Sequence, residues 1–353
     1  MPATLIPKAR IPIRHLVLFG WLPSLLKVWA YRTFLGYKIG RHVHIALGGA
    51  VVGSDVTLGD HVEIGLLAVV QGRHITIGAH SSVGTMSYVS CERIEIGEDA
   101  RIREQVYVGG PQLPESRFTL GSRTIVLQMT NINPTKPVTI GDDTGIGGHC
   151  LIFTHGAWLN VLDGYPVTYE PVTLGRSVWL PWRVFVMPGA TIGDGSVIGA
   201  NSLVTGAIPP SSLAVGSPAK AIRSAPNFPT QLAPEDRARL VSDIMSEFDR
   251  FVRYGGATVT EVDAATRTYT RGGRGWRLHW IRAGAVQATP TVSPGDTVLT
   301  EQALSDDQRR AYRGQGVYWL DLAGRTRSED GSPLTEELAL FLGRYGIRLA
   351  RER

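Results

Sequence analysis

The sequence is poor in cysteine, modest in charge and without a long unbroken apolar run. Two cysteines, Cys91 and Cys150, occur among 353 residues. That excludes a disulfide framework and a Cys-rich zinc site, and it suits a reduced, cytoplasmic chain. Charged residues make up 19%, and the 36 Lys and Arg are nowhere gathered into a block, so no nucleic-acid partner is expected. The mild positive excess suits a small anionic ligand. No small-residue cleavage site of a signal peptide succeeds the N-terminal apolar residues. The most apolar stretch, 16–35, is interrupted by Pro23, Lys27 and Arg32, which argues against a membrane span. It reads as one or two short helices carrying Trp21, Leu25, Trp29 and Phe34 on an apolar side. The favoured role is a cap packed on the domain that begins near residue 37; weak peripheral membrane contact is the alternative.

Glycine, by contrast, is abundant, with 41 residues. From Ile39 an aliphatic residue followed by a small one recurs about every six positions: Ile39-Gly40, Ile45-Ala46, Val52-Gly53, Leu58-Gly59, Ile64-Gly65. Ile39, Leu58, Ile77 and Ile96 are each 19 positions apart. A period of six matches neither an amphipathic helix nor a simple alternating strand. It fits a prism with three flat sides, in which the aliphatic residue points inward and stacks on its counterpart one coil away. The small residue then serves a corner, where a large side chain clashes or φ turns positive. The pattern is interrupted at about 109–137 and again at 155–171, then runs without slippage from Leu174 to Val204.

The segment 172–223, VTLGRSVWLPWRVFVMPGATIGDGSVIGANSLVTGAIPPSSLAVGSPAKAIR, resembles the last coils of the hexapeptide-repeat acyltransferases, the group of the maltose and galactoside acetyltransferases and polysaccharide O-acetyltransferases. The resemblance covers 36–223. It implies an all-β left-handed parallel β-helix over 37–223, with an N-terminal helical cap over 1–36 and a smaller C-terminal α+β domain over 224–353. The left hand comes from the resemblance alone, since spacing carries no information about it. A homotrimer is likewise an expectation from the family.

Interruptions of a repeat are where function collects. His155 stands where the second interruption leaves the coils, and in the similar enzymes a histidine in the matching place is the general base, a task suited to imidazole. The resemblance further implies acetyl-coenzyme A as donor, its pantetheine arm lying along the prism edge. Gly189, Ala190, Gly199, Ala200 and Ser217 are small enough to permit that approach. Lys220 and Arg223 match the cations that meet the phosphates, and Trp182 lines the groove, narrows it or faces another domain. Asn131 and Asn133 are candidates for the acceptor site or else ordinary turn residues. Trp158, Asp163 and Tyr165 could line a sugar pocket or simply face solvent. Asp142, Asp163 and Glu170 are the carboxylates considered for orienting His155. His149 reads as structural or substrate-lining. His42, His44, His61, His74 and His80 read as scattered surface residues.

Two features depart from the pattern: the bulky Leu180-Pro181-Trp182-Arg183, and Gly206 where relatives carry Lys. No metal is expected. The γ-type carbonic anhydrases share the fold, but Asp142 and Gly147 occupy the positions where that pattern has histidines. The acceptor is expected to be a small molecule or glycan, and the alternative is a non-catalytic β-helix that binds a glycan, a nucleotide-sugar or a protein partner.

Beyond Arg223, three prolines in SAPNFPTQLAP mark a linker. A helix is expected over 234–254, with Leu240, Ile244, Phe248 and Phe251 on one side. Strands are expected at 257–262, 276–281 and 316–322, and a last helix over 334–345.

Overall fold

The computed structural model describes residues 11–110, 113–284 and 290–352. These fall into two compact units, one ending at Thr230 and the other beginning at Gln231.

In the first unit a short helix, Ile13–His15, runs into a π-turn, Leu16–Gly20, followed by helix α1, Ser24–Phe34. From Lys38 the chain winds through three parallel sheets in turn. The first has nine strands, the second ten and the third eight, each strand hydrogen-bonded to its equivalents one coil before and after. Lys38 pairs with Thr57 and Asp55 with His74, so the 19-residue spacing is one full coil. Leu58, Ile77, Ile96, Leu120, Ile140 and Leu174 stack down the first sheet, each no more than 3% exposed. Burying such a side chain contributes about 1.5–3 kcal/mol, and every coil repeats the contribution. Ala219–Arg223 closes the second sheet by folding back antiparallel on Leu213–Gly216.

The structure chooses between two alternatives left open for the repeat and revises one expectation. The glycine after each aliphatic residue is required by space rather than by positive φ. A Cβ on Gly59 would lie 2.5 Å from the Ala79 nitrogen, and one on Gly78 would lie 2.5 Å from the Gly97 carbonyl carbon. The positive φ falls farther round the corner, on non-glycine residues such as His61 (57°), Leu67 (56°), His80 (59°) and Met86 (56°). The first interruption is also shorter than the pattern suggests. Arg93–Ile96 pairs directly with Arg117–Leu120, and Phe118 then pairs with Val138. Most of 109–137 is therefore a regular coil. It is hard to recognise because Ile132 and Val126 are followed by Asn133 and Leu127 instead of a small residue.

Nor are all the early histidines scattered. His42, His61 and His80 occupy equivalent corners of successive coils, and their rings stack with centroids 4.8 Å apart.

The second unit is a seven-stranded mixed sheet, Thr258–Glu261 through Ala350–Glu352, with helices α2 (Pro234–Tyr254), α3 (Asp306–Gly314) and α4 (Pro333–Gly343). Helix α2 buries Val241, Ile244, Met245 and Phe248, whereas Leu240 is exposed. The apolar stripe lies farther round the helix than the sequence pattern indicates, because Val241 and Met245 face inward and Leu240 does not.

Candidate active site

The coils position one large excursion. Val138 pairs with Val172, 34 positions on, and between them the chain leaves the third sheet after Leu151–Phe153. The excursion begins and ends in a two-stranded antiparallel ladder, in which His155 pairs with Tyr169 and Gly156 with Thr168. Thr154, fully buried, anchors its base. Its hydroxyl donates to the Asn133 carbonyl at 2.7 Å and accepts from the Lys136 amide at 2.9 Å, while its carbonyl accepts from the Glu170 amide at 3.0 Å.

This frame fixes His155. The half-buried imidazole lies near-parallel to the rings of Phe153, with centroids 6.3 Å apart, and of Tyr169, 5.9 Å apart. Its Nδ1 is buried and, among the described residues, has no hydrogen-bond partner. None of the three carboxylates considered for it is its partner. Asp142 accepts from the Ser122 amide at 2.8 Å. Asp163 sits in an exposed 3-10 turn capped by Asn160. The Glu170 carboxylate lies over Gly189, where a Cβ would meet its Oε2 at 2.1 Å. Among the described residues the contacts beside the imidazole are therefore aromatic rings.

The remaining acceptor candidates divide. Asn131 and Asn133 project from the third sheet, and Asn133 Oδ1 accepts from the Thr135 amide at 3.2 Å and from its hydroxyl at 2.7 Å. That is a turn-building arrangement. Trp158 is 95% exposed, and Tyr165 and Asp163 lie on the same open loop.

Of the residues expected to meet the donor, Trp182 packs against the chain at Gly148, where a Cβ would come within 2.3 Å of its ring. With His149, Arg183 and Asn201 it lines a cleft of about 360 Å³. His149, Arg183 and Asn201 occupy successive coils of one corner, all at φ near +60°. Arg183 and Asn201 were not among the sequence candidates; the 18-residue step between them, one coil, is the signal that relates them to each other. Ala200, Ser217, Lys220 and Arg223 are exposed, and Gly189 and Gly199 are half-buried. Ala190 departs from the expectation. Its side chain is fully buried inside the prism, its amide donates to the Met187 carbonyl and its carbonyl accepts from the Thr173 amide, so it presents nothing to a ligand. Cys150 beside the cleft is no nucleophile: burial pushes its thiol up to about 11, and Sγ donates to the Pro181 carbonyl at 3.0 Å. Among the described residues no three His, Cys, Asp or Glu lie close enough together to hold a metal ion.

No protein-family model matches the chain. A Schizosaccharomyces pombe protein provisionally named an acetyltransferase is 56% identical over 57 residues, 16% of this chain and 28% of that one. The galactoside O-acetyltransferase of Escherichia coli is 40% identical over 96 residues, 24% of this chain and 43% of that one. A solved hexapeptide-repeat acetyltransferase of Vibrio cholerae, complexed with acetyl-coenzyme A, shares 27% identity over 42% of this chain and 69% of its own, with a TM-score of 0.30. The chain is thus similar to the hexapeptide-repeat acetyltransferases. The galactoside O-acetyltransferase is one of its relatives, and the matches to these two curated relatives span less than half of their lengths.

Proposed function

We propose that the chain is a coenzyme A-dependent acetyltransferase, its coils wound left-handed, working as a homotrimer in the cytoplasm. It moves an acetyl group from acetyl-coenzyme A to a hydroxyl, or an amine, of a sugar, a surface-polysaccharide precursor or a related metabolite. One observation carries this reading: the longest described excursion from the coils opens at His155, a half-buried histidine near-parallel to two aromatic rings. The sequence similarity to acetyltransferases supports the choice of donor.

In this reading Nδ1 of His155 is sealed off and Nε2 faces the acceptor. Nε2 takes the acceptor's proton as the acceptor oxygen or nitrogen attacks the thioester carbonyl, and a positioned base of this kind contributes about 10²–10⁴-fold. The tetrahedral oxyanion collapses, the carbon–sulfur bond breaks, and the imidazolium returns the proton to the departing thiolate. The products are free coenzyme A and an acetyl ester or amide. Trp182 and the cleft at His149, Arg183 and Asn201 line the donor path. Gly199, Ala200 and Ser217 leave room for the pantetheine arm, whereas the Glu170 carboxylate already lies over Gly189, and Lys220 and Arg223 meet the phosphates. Asn131, Asn133, Trp158, Asp163 and Tyr165 bound the acceptor side.

Isothermal titration of wild type and His155→Ala with acetyl-coenzyme A, followed by an acceptor screen, tests the proposal. Micromolar binding by both proteins with turnover by the wild type alone is the expected result. Absence of binding by either removes the acetyltransferase reading and leaves a β-helix that binds a glycan, nucleotide-sugar or partner.

A further inference from the structure

Helix α1 buries Val28, Ala30 and Tyr31 and yet is apolar on its outer face as well. Its one lysine, Lys27, is fully buried, and Nζ donates to the carbonyls of Gly20 at 3.3 Å, Ala46 at 2.8 Å and Gly49 at 3.0 Å. Its outer face instead presents Leu25, 85% exposed, and Trp29, 56% exposed. The preceding turn continues that face with Leu18 at 63% and Trp21 at 66%. Between this turn and the coil corners at Leu67 and Met86 runs an apolar groove of about 650 Å³. Singly exposed apolar residues are ordinary, but a contiguous face of this kind marks an interaction surface.

Charge identifies what the surface fits. The first 54 residues hold seven Lys and Arg (Lys8, Arg10, Arg14, Lys27, Arg32, Lys38 and Arg41) and no Asp or Glu. From Asp55 onward the 29 remaining Lys and Arg are outnumbered by 31 Asp and Glu. The whole positive excess of the chain therefore belongs to the segment that carries the apolar face. A contact of this acid-free segment with the same segment of a second copy would offer its cations no negative partner. A lipid surface bearing negative headgroups complements it, with indole rings at the interfacial depth they favour and aliphatic side chains just below. No described helix is long and apolar enough to cross a membrane, so the contact is peripheral.

We infer that the exposed face of α1 and the turn before it docks the protein on an anionic membrane surface. The test is co-sedimentation of the full chain with vesicles of phosphatidylcholine alone and of equimolar phosphatidylcholine and phosphatidylglycerol. Lipid-free size is measured in parallel by analytical ultracentrifugation. The wild type is expected to pellet with the anionic vesicles, and less so as salt rises. The Leu18→Glu/Leu25→Glu variant, altered only at exposed positions, is expected to bind at least about tenfold more weakly with lipid-free size unchanged. Arg14→Glu, which leaves the apolar face intact, is expected to weaken binding by about tenfold. Equal pelleting with and without phosphatidylglycerol overturns the inference, as does undiminished binding by the double variant. A wild type that ignores both vesicles, and whose assembly breaks down in the double variant, also overturns it and shows that a second copy covers this face.

Discussion

The ring of Tyr169 lies 5.9 Å from that of His155, with 22° between their planes, and the two residues are register partners across the ladder that opens the excursion. Backbone pairing thus delivers the tyrosine to the face of the histidine. Among the described residues the His155 Nδ1 has no hydrogen-bond partner, and the rings of Phe153 and Tyr169 are the contacts beside the imidazole. Tyr169 is a positioning residue in that arrangement, and its ring matters more than its hydroxyl. Tyr169→Ala is expected to lower kcat about two- to tenfold with little change in KM, the range for an aromatic contact. Tyr169→Phe is expected to restore the wild-type rate. A drop with Phe as large as with Ala would assign the effect to the hydroxyl.

Gly148 leaves room for Trp182. A methyl group there would come within 2.3 Å of the indole and must displace it. Gly148→Ala is expected to weaken acetyl-coenzyme A binding by about tenfold or more and to destabilise the fold by about 1–3 kcal/mol. Titration and urea unfolding measure the two separately. Unchanged affinity would place the donor away from this cleft.

Lys27 ties the N-terminal helix to the first coils through the carbonyls of Ala46 and Gly49 and to the preceding turn through that of Gly20. Burial lowers its pKa from 10.5 to about 8. Below pH 8 both folded and unfolded chains hold the proton, and the cost of the buried charge is felt in full. Between pH 8 and 10.5 the folded chain has released a proton that the unfolded chain keeps, so stability rises with pH through that window, by at most about 3 kcal/mol. Lys27→Met strands three carbonyls and is expected to cost about 1–3 kcal/mol near neutrality. Its stability should lack the rise above pH 8. Urea midpoints of both proteins at pH 7.5 and 9 are the measurement.

The two thiols titrate in the opposite sense. Burial pushes Cys91 up to about 12 and Cys150 up to about 11. Each is then fully protonated in the folded chain at pH 8 and closed to reagent. A thiol reagent at pH 8 is expected to label neither in the native protein and both after unfolding. Above pH 9 the unfolded chain sheds these protons first, so the thiols contribute a loss of stability with rising pH. Rapid labelling of the native protein would mean that the coils open locally around them.

The coils were legible in the sequence because each repeats one local geometry. An aliphatic residue must point inward every sixth position, and a glycine must stand where the next coil's backbone passes within 3 Å, as at Gly59 and Gly78. Any stretch with both signatures declares itself. The coil over 117–137 has the inward residues Phe118, Val126 and Ile132 but few of the small ones, and only its pairing with Arg93–Ile96 and Val138–Ile140 reveals it. Helix α2 is read from its period of 3.6, whereas the strand Thr266–Arg271, TRTYTR, has one buried apolar residue, Tyr269, and no alternation to find. His155 is conspicuous in one dimension because it stands at the edge of an interruption. That its neighbours are Phe153 and Tyr169 rather than a carboxylate depends on where the excursion returns to its own ladder. Likewise Trp182 meets Gly148, and His42 meets His61, only once the coil register is set. Periodicity is a property of neighbours along the chain and can be read there. Contacts across coils depend on the lengths of the insertions between them, which the sequence displays but only the folded register turns into distances.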